Sequence, residues 1–371
     1  MTARPIISVL TAALAFCALA GAAQAQQTPS SQNKAQMRLS AEVFTGFADI
    51  RTDAEDFNAF FVERAEAGFD LVWGQMGGEL RVESIRSAGP QSVLGVDGDS
   101  LVLRLKRGWG FRRFEFDPVR AEVRLGLLPE PWIDTFQFGY DLRAIVPSVG
   151  ERGLFFDTSD LGLETIVQGW EGLVTLRVAV TNGEGRNQTE QNTGKNTTAL
   201  LQIRPLVFEL RGSQAWLGAQ VAYRDGSVGV SSAQNHRLAA ALLFSTDWAG
   251  AGAEYVSATG YLGQPELNAS GLGLWAHGLI ARPWIGLIGR YDQLSIDADD
   301  ADNTQTIITA GLYSELGPTG MGLADPRMRL YLIVQQERFG DTGGPVPGAP
   351  DVAEARHVRL VLEWRGSTQP Y

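Results

Sequence analysis

Ionisable side chains recur at every second position in two neighbouring runs of this sequence: Arg104 and Lys106 in LVLRLKRG, and Arg120, Glu122 and Arg124 in VRAEVRLGL, with Arg112 in the stretch between them. The intervening positions are apolar: Leu103 and Leu105 in the first run, Ala121, Val123 and Leu125 in the second. Residues two apart on an extended chain share a face, so each run carries an oily side and an ionised side. The chemistry open to such a wall is non-covalent, a fixed field acting on ions and polar solutes in water. If the Leu and Val faces meet hydrocarbon, the charges must turn the other way, because a cation at mid-depth on a lipid face costs about 2–4 kcal/mol. Asp141 and Arg143, from the connector that follows, are expected beside this wall.

Covalent chemistry finds little support. The three histidines, His236, His277 and His357, form no Ser-His-acid grouping that spacing can justify. The acidic run at Asp297, Asp299, Asp300 and Asp302 has the beginnings of a calcium loop. It lacks the glycine and the distal bidentate glutamate that such a loop needs, and a solvated acidic loop is the simpler reading. No catalytic residue, metal or cofactor is expected.

The elements that must hold these residues are strands. From Met37 onward the pattern has period two, in segments of about ten residues broken by turn signals, and helical periodicity is nearly absent. Sixteen strands are predicted, near 37–50, 57–73, 79–87, 99–116, 119–128, 159–168, 172–181, 197–205, 214–224, 235–246, 251–262, 269–281, 284–295, 305–316, 327–338 and 354–365. Links after even strands are mostly short, as at Asp117-Pro118, and links after odd strands mostly long and polar. The links 206–213 and 317–326 are exceptions among the even ones, and 51–56 and 263–268 among the odd ones. This parity is that of a closed antiparallel transmembrane β-barrel with short turns on one side and long loops on the other. A β-sandwich array or propeller is the soluble alternative, and no blade-length repeat is visible.

Composition agrees. With 42 acidic against 31 basic residues the chain carries a net charge of −11 and lacks the basic face that nucleic acid requires. A mean hydropathy of −0.07 does not suit a helical membrane bundle. Residues 1–25 read as a cleaved signal peptide, with Arg4, an apolar stretch and Ala23-Gln24-Ala25, and they contain the only cysteine, Cys17. Residues 26–36 read as a polar lead-in, 37–365 as the barrel and 366–371 as a tail.

The connector 129–158 is too rich in apolar residues (Trp132, Ile133, Phe136, Phe138, Tyr140, Leu142) for an outer loop tip, and is predicted to fold into the barrel. Eight of the nine tryptophans, at 73, 109, 132, 170, 216, 248, 284 and 364, fall at strand ends or beside turns and suit an interfacial girdle.

The order KRGWGFRRFEF (106–116), LGLLPEPWID (125–134), SDLGLETIVQG (159–169), VAVTNGEG (178–185) and Lys195 to Pro205 resembles the phosphate-selective porin O and P family of Gram-negative outer membranes. The resemblance covers about a third of the chain. It implies a sixteen-stranded outer-membrane barrel with an inward third loop. It also implies passive diffusion of small hydrophilic solutes, outer-membrane lipid as surroundings and a homotrimer. Arg104, Lys106, Arg112, Arg120, Glu122, Arg124, Asp141 and Arg143 would line the constriction, either as a field with a local preference for anions or as a salt-bridged interior ladder in which Glu115, Glu122 and Asp141 counter the cations. Phosphate selectivity is not implied, because this chain is net acidic. Trp364, followed by a tail ending in Pro370-Tyr371, also departs from the usual terminal aromatic. A barrel receptor, adhesin or structural protein without a conducting pore is the alternative.

Overall fold

The computed structural model describes residues 35–52, 56–86, 101–185, 192–229, 233–281, 284–297, 303–317, 324–340 and 353–368. The expected signal peptide, most of the polar lead-in, the loops 88–98 and 341–352, most of the acidic run near 300 and the last three residues lie outside these. No helix among the described residues is long and apolar enough to cross a membrane.

Sixteen antiparallel strands close into one barrel. They are β1 (Ala35–Thr52), β2 (Asp56–Trp73), β3 (Met76–Arg86), β4 (Leu101–Phe116), β5 (Val119–Pro129), β6 (Ser159–Gly169), β7 (Val174–Thr181), β8 (Asn196–Leu210) and β9 (Ser213–Asp225). After a two-stranded ribbon in a loop, β10 (Ser227–Val228) and β11 (Ala233–Gln234), follow β12 (His236–Thr246), β13 (Ala249–Thr259), β14 (Asn268–Ala281), β15 (Ile285–Ser295), β16 (Thr304–Glu315), β17 (Ala324–Phe339) and β18 (Glu354–Ser367). Each strand pairs with its sequence neighbour, and β18 closes on β1 from Ser40↔Ser367 to Thr52↔Ala355. Closure leaves no unpaired edge, which a hydrocarbon setting demands of any sheet. All sixteen predicted strands are present.

Strand boundaries differ from the sequence reading by a few residues at several places, most at β8. The link expected at 206–213 is strand, because β8 continues to Leu210 through a bulge between Ile203 and Leu206. Arg204-Pro205 occupies that bulge, where the missing proline N–H costs no ladder bond. The turn between β8 and β9 is only Arg211-Gly212, both at positive φ. At the C-terminus β18 reaches Ser367 and Thr368 donates its N–H to the Leu39 carbonyl, so pairing continues past Trp364.

The alternation works as the period requires. Leu103 is 71% exposed, Leu125 66%, and Leu105, Leu332, Leu360 and Leu242 are exposed on the outer face. The predicted girdle is only partly realised. Trp73, Trp170 and Trp284 are exposed. Trp109 and Trp216 turn inward, against Arg124 and the loop residue Phe138, and Trp132 is fully buried. The inward ones serve packing, which a tryptophan's strand-end position does not reveal.

Candidate functional site: the loop-filled lumen

The connector 130–158 touches staves around the whole ring: Arg64 on β2, Arg107 on β4, Arg177 on β7, Arg224 on β9, Glu254 on β13, Arg290 on β15, Arg329 on β17 and Arg359 on β18. A segment that contacts opposite walls of a closed ring lies inside it. Its local form is two short helical turns. Pro131–Phe136 has proline in its first turn, and Val149–Arg152 is capped by Ser148 Oγ accepting from the Glu151 N–H at 3.1 Å.

The loop is held first by apolar packing. Trp132, Phe136, Tyr140, Leu142, Ile145, Val146, Val149, Phe155 and Phe156 are all buried and join one cluster with the inner faces of β12 to β18. Phe136 and Tyr140 meet Trp275 edge-on at centroid distances of 5.3 and 5.1 Å. Val149 sits over Gly271 and Gly273 of β14, where a β-carbon would come within 2.4 and 2.7 Å of its methyl carbons. Two inward glycines two residues apart thus form a seat.

Charged groups then fix the orientation. Glu254, buried on β13, accepts the Trp132 Nε1–H at 2.9 Å, the Val149 N–H at 2.8 Å and the Gly150 N–H at 3.2 Å. Asp141 meets Arg327 and Arg329, each at 2.6 Å. Burial works against ionising Asp141, but these two guanidiniums outweigh it and hold its carboxyl below the usual range. Asp134 is held low in the same way, burial being outweighed by Arg107 at 3.1 Å and Arg177 at 2.9 Å. Arg143 takes Glu151 in a two-pronged grip at 2.9 and 3.2 Å, with Arg64 adding a third contact at 3.2 Å. Burial would raise the Glu151 carboxyl, yet Arg143 and Arg64 bring it down to about 2. Glu130 is pushed up instead, because its burial exceeds what Arg224 returns.

On the basic wall, Arg104 reaches Glu83 at 2.7 Å, and the fully buried Lys106 pairs with Glu66 and lies 3.4 Å from Glu83. Arg124 bonds Glu122 at 2.5 Å, which also receives Arg113 at 2.6 Å. Arg120, exposed at the short-turn end, hydrogen-bonds Gln168. Arg104, Lys106, Arg120 and Arg124, with Glu122, Asp141 and Arg143, lie on the interior side.

Arg112 does not. A bulge opposite Arg81/Val82 gives β4 one extra residue at Lys106-Arg107, so both turn inward and the parity reverses beyond them. Arg113 then faces Glu122, while Arg112 sits opposite the lipid-side Val123 and lies 5.4 Å from the Phe114 ring. The consecutive charges Lys106-Arg107 were the sequence trace of this break in period. Glu254 and the Gly271–Gly273 seat were not anticipated, although glycines alternating on the inner positions of a strand are a legible sign of something lying close.

The three histidines lie on different staves, β12, β14 and β18, and His236 contacts Asp225 at 2.9 Å on the rim. Two cavities lie near the two ends of the barrel. One of about 400 Å3 on the long-loop side is bordered by Phe155, Asp157, Arg224 and Arg237. Another of about 470 Å3 at the short-turn side is bordered by Arg120, Gln168 and Arg204.

No protein-family model matches the chain, and no curated protein is similar to it in sequence. Solved structures do share its fold. An anion-selective porin from Comamonas acidovorans aligns over 90% of this chain and 100% of its own with a TM-score of 0.58 at 14% identity. The outer membrane channel DcaP of Acinetobacter baumannii gives 0.57 at 11% identity, covering 91% of this chain and 99% of its own. Salmonella typhi OmpF gives 0.57 at 12% identity, covering 90% and 98%. At such identities the likeness concerns the fold, a porin-type transmembrane barrel.

Proposed function

We propose that this chain is an outer-membrane porin through which small hydrophilic solutes or ions diffuse passively, without catalysis. The observation that carries the reading is the arrangement of the wall: a closed ring with leucines outside, ion pairs inside and a loop folded across the interior. A channel needs a polar lining, a constriction and a charge pattern, and nothing else. The porin folds it resembles, one of them described as anion-selective, point the same way. The motifs of residues 106–205 support a place near the phosphate-selective porin O and P family, and with it a homotrimer in outer-membrane lipid reached through a cleaved signal peptide. The constriction comprises Arg104, Lys106, Arg120, Glu122, Arg124, Asp141 and Arg143.

Any preference for anions is weak. Arg104, Lys106 and Arg124 each have a carboxylate partner, which makes this wall a salt-bridged ladder more than a bare cationic field. Liposome swelling with sugars of graded size tests the reading: swelling that falls off with solute size supports it, and vesicles as tight as protein-free ones overturn it. A barrel without a conducting pore is the second reading, favoured by one feature, the burial of the loop's aromatic cluster against the far wall.

A further inference from the structure

The cavity of about 400 Å3 at the long-loop mouth is lined by Arg237, Asp157 and Glu184, charges of both signs that form no ion pair among the described residues. Arg237, at the start of β12, is 5% exposed. Its guanidinium is aimed by three backbone carbonyls, accepting Nε–H at Phe155 (3.0 Å) and Nη1–H at His236 (2.9 Å) and Thr259 (3.0 Å). No carboxylate lies within ion-pair distance of it among the described residues, unlike its neighbour Arg224, which is paired with Glu130. A buried cation is expensive unless an anion meets it, so this site is built for an anionic group.

On other parts of the same cavity wall are two carboxylates that also lack a cation among the described residues. Asp157 accepts the Thr158 N–H at 2.6 Å. Glu184 accepts the Gly229 N–H and the Asn192 Nδ2–H, both at 2.9 Å. A simple anion would be drawn to Arg237 and repelled by Asp157 and Glu184. A solute with a carboxylate at one end and an ammonium at the other satisfies both.

We propose that this cavity binds small zwitterions of the amino-acid or short-peptide class, the carboxylate on Arg237 and the ammonium toward Asp157 and Glu184. Its use as an entry station rests on the channel reading; binding itself does not, so equilibrium binding separates the two.

The test is titration calorimetry at low salt on the purified, folded barrel, with glycylglycine as zwitterion, acetate as anion and ethylammonium as cation. Glycylglycine is expected to bind saturably, and at least about tenfold more tightly than either single-charge probe. Arg237→Gln and Asp157→Asn should each weaken it about tenfold or more, while Arg51→Gln, at the exposed rim on β1, should leave it unchanged. Should Arg237→Gln fail to fold, Asn235→Asp places an acid on the same wall and should abolish binding in its stead. Absence of saturable glycylglycine binding, wild-type affinity in the variants that fold, or acetate binding as tightly as glycylglycine would each overturn the proposal.

Discussion

Replacing Glu254 by alanine removes the acceptor of three N–H groups, Trp132 Nε1, Val149 N and Gly150 N, at 2.9, 2.8 and 3.2 Å. Such hydrogen bonds contribute about 0.5–1.5 kcal/mol each, and a buried donor left without a partner costs about 1–3 kcal/mol. Three such losses are not additive, and water entering the gap recovers part. A net weakening of loop docking by about 3–5 kcal/mol is expected, a factor of roughly a hundred to several thousand in the docking equilibrium. The barrel ladder is untouched, so the folded barrel should persist while the loop detaches from β13 and β14. The assay exploits the lack of cysteine beyond residue 25. Val149→Cys places a single thiol at a position with no exposed surface. That thiol should resist a water-soluble maleimide when Glu254 is present and react readily when Glu254→Ala is added. Conductance should rise in the same variant. Equal protection of the thiol in both backgrounds would refute the view that this carboxylate clamps the loop.

Acidification should leave the loop in place until the pH is low. Glu151 titrates near 2 against an ordinary 4.5, and Asp134 and Asp141 are likewise depressed, so their stabilisation is present above the ordinary values and is lost as pH falls through the folded ones. The same thiol should therefore stay protected from pH 8 down to about 5 and become reactive only at pH well below 4, read with an acid-tolerant reagent. Leu125→Arg should destabilise the barrel by about 2–4 kcal/mol in denaturant titrations in lipid, whereas Arg112→Leu, also on the outer face, should cost nothing measurable. Gly271→Val fills the seat of Val149, where a β-carbon alone already comes within 2.4 Å, and should displace the loop and raise conductance without unfolding the barrel. If the basic wall sets ion selectivity at all, neutralising Arg104, Lys106, Arg120 and Arg124 together should shift the reversal potential in a chloride gradient toward cations by a few millivolts; an unchanged potential would remove it from the selectivity mechanism.

The strands were legible because every stave has one face in hydrocarbon, and that requirement writes a period of two into the sequence wherever it applies. Leu103, Leu125 and Leu360 follow it. The inward loop was legible for a related reason: Trp132, Phe136 and Tyr140 have no place in an aqueous loop. Other features were hidden. A bulge adds a single residue, so the shift that sends Arg112 outward and Arg113 inward leaves only the doublet Lys106-Arg107 as a trace. Pairings such as Glu254 with Val149 span 105 residues and depend on how far the loop reaches across the interior. Local patterning has no term for such distances. The sequence shows Glu122 among the cations but not Glu66 and Glu83, which come from neighbouring strands and complete the ladder around Arg104 and Lys106.

Electrical recording on purified protein in a planar bilayer bears most directly on the transport assignment. Discrete, long-lived current steps from heat-modifiable, correctly folded material are the predicted result, enlarged when Glu254→Ala frees the loop. A silent membrane after verified insertion, with wild type and Glu254→Ala alike, would contradict it.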